Sequence, residues 1–277
     1  MSDRLRLTIL GCGSSPGVPR ITGEWGACDP SNPRNRRLRA SALVERIRPD
    51  GAKTTVVIDT GPDFREQMIR AGVKRLDAAV YTHPHADHIH GIDDLRGYVQ
   101  VQRKRMDAYA DDATMARLIE GFGYCFETPP GSDYPPILTG HRIEHYVPFT
   151  IDGDGGPLTF LPLPHQHGLI HCLGFRIGPF AYCSDINDFY PQSLPHLQGL
   201  ELLVIGALQY APHPNHLSLK EALEWIERLK PERAVLTHMH VPLDYRAVQD
   251  ATPDHVEPAY DGLVIETTIP SDCIPSN

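Results

Sequence analysis

Short apolar runs separated by turn residues dominate the hydrophobic pattern of this chain of 277 residues. Runs of about 4–8 residues bounded by glycine, proline or asparagine are typical of β-strands. They form two groups, one in each half of the chain. On this pattern we predict strands at Leu5–Leu10, Ala40–Arg48, Thr54–Asp59, Leu76–Tyr81, Leu158–Leu163, Leu173–Ile177, Phe180–Cys183, Glu201–Ile205 and Ala234–Leu236.

Helical spacing of the apolar positions is confined to a few segments between these strands. The first predicted helix has proline in its first turn and Gly72 after its end, which are typical start and stop signals. The predicted helices are Pro62–Ala71, Ile92–Arg103, Asp112–Gly121 and Leu219–Leu229. The proline-rich stretch Glu127–Gly140 has no periodicity and is a candidate for a mobile flap. Two strand-rich halves with interspersed helices predict a mixed α/β protein.

Composition narrows the class of protein without identifying it. Hydrophobic residues make up 41% and charged residues 22%, which is ordinary for a globular chain. The net charge of −9 argues against an extended nucleic-acid partner. No apolar stretch approaches the length of a membrane span, and Met1–Arg6 lacks a signal-peptide core, so we expect a cytoplasmic protein. The cysteines are expected to be free thiols; they are Cys12, Cys28, Cys125, Cys172, Cys183 and Cys273.

The most informative segment follows the predicted strand Leu76–Tyr81. It reads His83-Pro84-His85-Ala86-Asp87-His88, with three imidazoles and one carboxylate in six positions. These side chains suit zinc, manganese or iron, and such a cluster at the end of a buried strand predicts a metal site, with room for a second ion.

Further ligand-type side chains end later apolar runs. His165 and His167 follow Leu163, Asp185 follows Cys183, and His238 follows Leu236. The carboxyl ends of neighbouring strands are where open sheets place their sites, so we expect these groups to converge with the first cluster.

The His-x-His-x-Asp-His motif and these strand ends resemble the metallo-β-lactamase superfamily. The resemblance extends over most of the chain and implies one hydrolase domain, residues 1–277, folded as an αββα sandwich around two divalent ions, Zn or Mn. It implies that one ion is bound by His83, His85 and His167, the other by Asp87, His88 and His238, with Asp185 as the bridge. His165 could replace His167 as a ligand or could support the ligands, and His240 is a less favoured metal ligand than His238. Asp59 orients a ligand or is an ordinary turn residue.

Three further segments resemble the phosphoribosyl cyclic phosphodiesterase branch of this superfamily. They are Gly11–Pro19, Asn32–Ser41 and His213-Pro214-Asn215-His216. In that branch the second histidine of the last motif acts on the leaving group, so His216 is the candidate general acid. An imidazole with a pKa near neutrality suits that role. His213 is expected to support the site or to contact phosphate, and Asp87 is expected to act in catalysis as well as in metal binding.

Two basic or glycine-rich segments are candidates for phosphate contact. Arg36 and Arg39, within a run of arginines, could bind phosphate through bidentate hydrogen bonds, or could lie in a solvated loop or an ion-pair network. The turn at Gly11–Pro19 could bind an anion through backbone N–H groups or pack beneath the site.

One departure from the branch concerns a structural zinc. Relatives hold it with three cysteines in the first loop and a later histidine, whereas this loop has only Cys28 and the later position is Val241. One thiolate cannot complete a tetrahedral site, so we expect no structural zinc and a loop held by packing, with Trp25 a candidate.

Together these features predict a binuclear phosphodiesterase. Its expected substrate is a small cyclic or nucleotide-like phosphate diester, attacked by a metal-bound hydroxide. Hydrolysis of a carboxylic ester, thioester or lactone and tRNA 3′-end processing are the enzymatic alternatives, and a nucleotide sensor without turnover is the non-enzymatic one. The sequence leaves a homodimer open.

Overall fold

Two β-sheets face each other in the computed structural model, which describes residues 2–269 and so leaves Cys273 outside. The first sheet has the order β15-β1-β2-β3-β4-β5-β6. Its strands are β1 (Asp3–Gly11), β2 (Ser41–Ile47), β3 (Lys53–Ile58), β4 (Ala78–Val80), β5 (Met106–Ala110), β6 (Leu138–Arg142) and β15 (Val264–Ile269). Pairing is antiparallel from β15 to β3 and parallel from β3 to β6.

The second sheet has the order β11-β8-β9-β10-β12-β13-β14, with β7 paired to β8. Its strands are β7 (Phe149–Ile151), β8 (Leu158–His167), β9 (Ile170–Ile177), β10 (Phe180–Cys183), β11 (Asp188–Phe189), β12 (Leu202–Gly206), β13 (Arg233–Thr237) and β14 (Val256–Pro258). The run from β10 to β14 is parallel. The parallel strands of both sheets therefore deliver their carboxyl ends to the loops that form the site.

Alternation along the strands divides the core into two apolar layers. In β3, Val56 and Ile58 pack between the sheets with Phe160 and Phe175, while Val57 packs on the outer face with Phe64. Because successive side chains point to opposite faces, one strand supplies both layers. The helices cover the outer faces, which matches the predicted αββα sandwich.

All the helices are short except α4 and α5. The helices are α1 (Phe64–Arg70), α2 (Ala86–Ile89), α3 (Arg96–Gln102), α4 (Asp112–Phe126), α5 (Leu219–Leu229) and α6 (Tyr245–Ala251). A capping box fixes the start of α5, since Ser218 and Glu221 bond to each other's backbone N–H groups. None of the helices within residues 2–269 has the length and apolarity that a bilayer span requires.

Several predicted boundaries were wrong. Helix α4 kinks at Phe122, directly after the predicted end at Gly121, and a further short helical segment then runs to Phe126 and buries Cys125. The predicted helix Ile92–Arg103 splits into a 3₁₀ turn followed by α3. Strand β8 runs on to His167, so His165 and His167 lie within the strand. The end of the aperiodic stretch Glu127–Gly140 belongs to β6, where it pairs with β5.

Asp261 ties the chain after β1 to the segment before β15. Its partly buried carboxylate accepts hydrogen bonds from the backbone N–H groups of Cys12 at 3.1 Å and Leu38 at 2.8 Å. Burial raises the pKa of this carboxyl to about 6, against about 3.9 in an unfolded chain. The stability that Asp261 contributes is therefore complete below about pH 4 and is lost as the pH rises through about 6.

This shift gives a pH-dependent prediction for Asp261→Asn, which stays neutral throughout. Between pH 4 and pH 7 the unfolding free energy of the wild type should fall relative to the variant by about 2 kcal/mol. Urea unfolding at both pH values measures it, with the exposed Asp254→Asn as the control. A wild-type-minus-variant difference that does not change with pH would contradict the assignment.

Candidate metal centre

Four strand ends bring the predicted ligands together. His83 lies three residues after β4, His167 is the last residue of β8, Asp185 follows β10 and His238 follows β13. His85 and Asp87 lie where α2 begins. His83, His88, Asp185 and His238 are almost fully buried, whereas His85 is exposed. The cluster therefore has a buried floor and one open side.

His83, His85 and His167 form the first group of converging nitrogens. Nδ1 of His85 lies 3.0 Å from Nε2 of His83 and 3.2 Å from Nε2 of His167. Nitrogens bound to one tetrahedral zinc at about 2.0–2.1 Å stand about 3.3 Å apart. The spacing of these imidazoles thus fits a shared cation.

Asp185 is the centre of the second group. Its Oδ2 lies 3.3 Å from Nε2 of His88 and 3.2 Å from Nδ1 of His238, and its Oδ1 lies 3.9 Å from Nε2 of His167. Asp87 joins the group through its Oδ2, 3.4 Å from Nε2 of His88. One carboxylate therefore reaches toward both groups, as a bridging ligand would.

Partners behind the ligands fix which imidazole nitrogen faces the cluster. Asp59 accepts hydrogen bonds from Nδ1 of His88 at 2.7 Å and from the hydroxyl of Thr82 at 2.8 Å. Since that hydroxyl proton is used, the Thr82 oxygen accepts from Nδ1 of His83, 2.9 Å away. The Nδ1 of His167 donates to the carbonyl of Asn215 at 2.8 Å. In all three histidines the lone pair of Nε2 then points into the cluster.

Several polar atoms of the cluster have no hydrogen-bond partner although they are buried. They are Nε2 of His88, Oδ2 of Asp185 and both ring nitrogens of His238. Buried polar atoms are normally satisfied, and leaving these unpaired costs free energy that metal coordination would recover. The donor set therefore fits divalent cations.

Electrostatics hold most ligands in the state that metal binding needs. Burial lowers the pKa of the imidazoles of His83, His85, His167 and His238, which keeps them neutral. Burial alone would raise the pKa of Asp185, but the nearby imidazoles, His238 first, lower it well below its usual range. Neutral imidazole and ionised carboxylate are the ligand forms.

His88 is the exception. Burial alone would lower its pKa, but the carboxylates of Asp185, Asp87 and Asp59 raise it well above its usual value. A site with this much negative charge around one imidazole attracts either a proton or a cation.

Backbone strain marks two of these positions. Asp59 has φ of +65° and His238 has φ of +56°, in the left-handed region that favours glycine. Non-glycine residues persist there when their surroundings fix them, and such residues concentrate at functional sites. Asp59 is thus a fixed partner of His88 and Thr82, beyond the turn residue that the sequence alone allowed.

His216 lies on the open side of the cluster. Its Nδ1 is 3.9 Å from Oδ1 of Asp185, and its ring stacks on that of His238 with 4.8 Å between centroids. Burial, and then the neighbouring His238, lower the pKa of His216 to about 3. This value lies below the near-neutral pKa expected from the sequence. His213 lies beside it, with ring centroids 5.3 Å apart.

The remaining candidates lie around or outside the cluster. His165 is fully buried behind His167, and neither of its ring nitrogens has a partner. His240 contacts Ser14 and Arg20 rather than the ligands. Arg39 forms an ion pair with Asp63 at 2.9 Å and donates to the carbonyl of Ser15. Arg36 is exposed, and within residues 2–269 its side chain makes no hydrogen bond or ion pair with the cluster.

Packing and a buried arginine hold the first loop. Val18, Cys28 and Val241 form a small apolar cluster, and Trp25 packs against it. The guanidinium of Arg37, 1% exposed, donates to the carbonyl of Leu243 at 2.7 Å. The loop therefore has cross-links other than a thiolate site, as the sequence predicted.

This arrangement predicts metal stoichiometry. We expect the ligand-type side chains that converge on Asp185 to hold two ions, while the Cys28 thiol packs against apolar side chains and has a pKa that burial raises. Protein purified from metal-supplemented cells should therefore contain about two equivalents of metal by elemental analysis. Three tightly bound equivalents would refute the loss of the structural site.

Sequence reasoning missed the groups that orient the ligands. The carbonyl of Asn215 fixes His167, and the Sγ of Cys172 lies 3.5 Å from Nδ1 of His83. A backbone carbonyl has no signature in sequence, and Cys172 had been treated only as a free thiol. Asn215 did lie inside the recognised His213–His216 motif, which was the available signal.

Comparison with known proteins supports the family resemblance. A model of the beta-lactamase superfamily domain matches residues 54–239. The crystal structure of a new diphosphatase from the PhnP family is 36% identical, covers 96% of this chain and 98% of that one, and superposes with a TM-score of 0.85. The metallo-beta-lactamase fold protein YhfI from Bacillus subtilis is 20% identical, with coverages of 95% and 100% and a TM-score of 0.71.

A curated relative has a different name. An octanoyltransferase from Porphyromonas gingivalis is 32% identical over 264 residues, or 94% of this chain. The match takes up 51% of that protein, so this chain spans about half the length of the curated relative.

Proposed function

Because this chain belongs to the metallo-β-lactamase superfamily of metal-dependent hydrolases, we propose that it cleaves small phosphate diesters with two divalent cations. The observation that carries the proposal is the buried carboxylate of Asp185, which lies 3.2–3.9 Å from ring nitrogens of His88, His167 and His238, with His216 beside it. The diphosphatase at 36% identity supports phosphorus as the centre attacked.

The cations are proposed to be zinc or manganese, held by His83, His85 and His167 on one side and by Asp87, His88 and His238 on the other. Asp185 would contact both. When bound, they would neutralise phosphate charge and lower the pKa of a water, which makes a nucleophile available at neutral pH. Imidazole and carboxylate ligands suit either metal, so availability decides between them.

His216 has the geometry of a proton donor to the leaving oxygen. It borders the cluster and its side chain is 15% exposed, so it can face substrate. Burial favours the neutral imidazole, but an anionic phosphate beside it would favour the protonated form. The proton would then pass from the imidazole to the departing alkoxide.

Octanoyl thioester hydrolysis is the second candidate. The octanoyltransferase at 32% identity has a name that denotes acyl-group chemistry, and half of that protein matches this chain. A thiolate leaves without protonation, so a proton donor such as His216 would have no evident role in thioester hydrolysis.

A substrate panel distinguishes the two functions. Protein reconstituted with zinc or with manganese should hydrolyse bis(p-nitrophenyl) phosphate and a cyclic nucleotide diester, and chelation should abolish both activities. Octanoyl-coenzyme A in the same assay should react at least 100-fold more slowly in kcat/KM, as an order-of-magnitude expectation. A preference for the thioester would overturn the proposal in favour of the second candidate.

A further inference from the structure

The strand end that carries His167 closes with a two-residue hairpin turn. His167 pairs with Ile170, and Gly168 and Leu169 form the turn between them. Gly168 has φ of +60°, which glycine adopts at little cost, and a Cβ atom there would lie 2.4 Å from Oδ1 of Asn215. The turn therefore packs closely against the loop that precedes α5.

Asn187 contacts the backbone immediately before and after His167. Its own N–H donates to the carbonyl of Gln166 at 2.9 Å, and its side-chain Oδ1 accepts from the N–H of Gly168 at 3.1 Å. Only the oxygen of the amide can accept a hydrogen bond, so the bond to Gly168 also fixes the orientation of the amide. One residue thus holds the main chain on both sides of a predicted metal ligand.

These contacts replace strand pairing that β8 lacks at its end. The neighbouring strand β11 is two residues long, and its ladder with β8 ends at the pair Asp188 and Gln166. Beyond Gln166, the side chain of Asn187 supplies the acceptor that the carbonyl of a neighbouring strand would supply. The end of β8 is therefore held by β9 on one edge and by Asn187 on the other.

Asn187 also lies two residues after Asp185, so one short segment carries both the carboxylate and the amide. The Oδ1 of Asp185 is 3.9 Å from Nε2 of His167, whose Nδ1 is fixed by the carbonyl of Asn215. A shift of the strand end relative to this segment would change that separation. The hydrogen bonds of Asn187 therefore couple the position of His167 to that of Asp185.

We propose that Asn187 is a positioning residue for the metal ion assigned to His83, His85 and His167. It acts through the main chain, because its two hydrogen bonds hold the strand end that presents the imidazole of His167. This inference rests on the ligand set of the proposed function. Partners that orient a metal ligand contribute about 10–100-fold to metal affinity, and an effect on one ion alone distinguishes this role from a general loss of stability.

Dialysis of the metal-loaded protein against chelator-buffered zinc tests the role of Asn187, with bound metal measured by elemental analysis. The wild type should hold two ions. Asn187→Ala should weaken binding of one ion by about 10–100-fold and change the affinity for the other by less than about threefold. Asn187→Asp keeps an acceptor oxygen for the N–H of Gly168, so it should restore the weakened affinity to within about threefold of the wild type.

Asn32→Ala is the matched control. The Oδ1 of Asn32 accepts the backbone N–H of Arg34 at 3.1 Å, at the start of a 3₁₀ turn. This variant removes the same kind of hydrogen bond and should leave the affinity for both ions unchanged, while thermal melting checks that both variants are folded. Equal weakening of both ions in Asn187→Ala, or no change in either, would overturn the proposal.

A second replacement identifies which ion Asn187 affects. His85→Ala removes a ligand from the ion that His167 is expected to bind, so the ion on the side of His88 and His238 should remain. Adding Asn187→Ala to this variant should change the affinity for the remaining ion by less than about twofold, and a larger loss would overturn the proposal. Zinc binding is measured without substrate, so a failure to cleave diesters would overturn the proposed function and leave this result intact.

Discussion

Replacing Asp185 with asparagine is expected to remove metal and turnover together. Its two oxygens face both ligand groups, at 3.2–3.9 Å from His88, His167 and His238. The amide is neutral and can offer only its single carbonyl oxygen as an acceptor. Loss of a residue that merely backs a ligand costs about 10–100-fold in metal affinity, so loss of the shared carboxylate should cost more than about 100-fold.

The measurement is metal content after dialysis, alongside diester turnover at saturating metal. Asp188→Asn, an exposed aspartate three residues along the chain, is the matched control and should keep both ions. Calorimetric or thermal melting confirms that the variant is folded. Two retained ions and normal turnover in Asp185→Asn would exclude this residue from the centre.

Replacing His216 with alanine is expected to slow diester cleavage by about 10²–10⁴-fold when the leaving group is a poor alkoxide. Metal content should stay at two ions, because the predicted ligand set is complete without His216. A p-nitrophenyl leaving group scarcely needs a proton, so the same variant should lose much less activity on that ester. The contrast between the two leaving groups separates proton donation from binding.

Metal content in His216→Ala also tests whether His216 is a metal ligand instead of a proton donor. His216, His167 and Asp185 lie close enough to bind one ion together. His255→Ala, at an exposed histidine, serves as the control. Loss of one metal, or an equal loss of rate with both leaving groups, would make His216 a ligand or a binding residue instead of the acid.

The sequence predicted the strands that are apolar and buried, and with them the metal centre. His83 and Asp185 could be placed because each ends a run whose burial is evident from composition. Strand β15 was missed, since it lies at the sheet edge with mixed polar and apolar residues. The predicted strand Leu158–Leu163 stopped short of β8, which continues through Pro164 to His167. Strand pairing outweighed those local signals.

The side-chain environments were less predictable than the ligands. Arg36 and Arg37 are adjacent in one basic run, yet Arg36 is exposed and Arg37 is buried against the carbonyl of Leu243. The conformation of the loop decides which of the two side chains is buried. The sequence does not predict that conformation, because the loop has no hydrophobic periodicity. The pKa of His216 likewise depends on burial beside His238, a contact between segments far apart in the chain.

Hydrolysis in ¹⁸O-labelled water tests the central claim most directly. The metal-reconstituted protein would be given a cyclic nucleotide diester, and the product would be examined by phosphorus NMR and mass spectrometry. Attack at phosphorus predicts one ¹⁸O atom in the product phosphate and none in the released hydroxyl, with no reaction after chelation. Label in the hydroxyl group, or no diester cleavage by a preparation that hydrolyses octanoyl-coenzyme A, would contradict a phosphodiesterase.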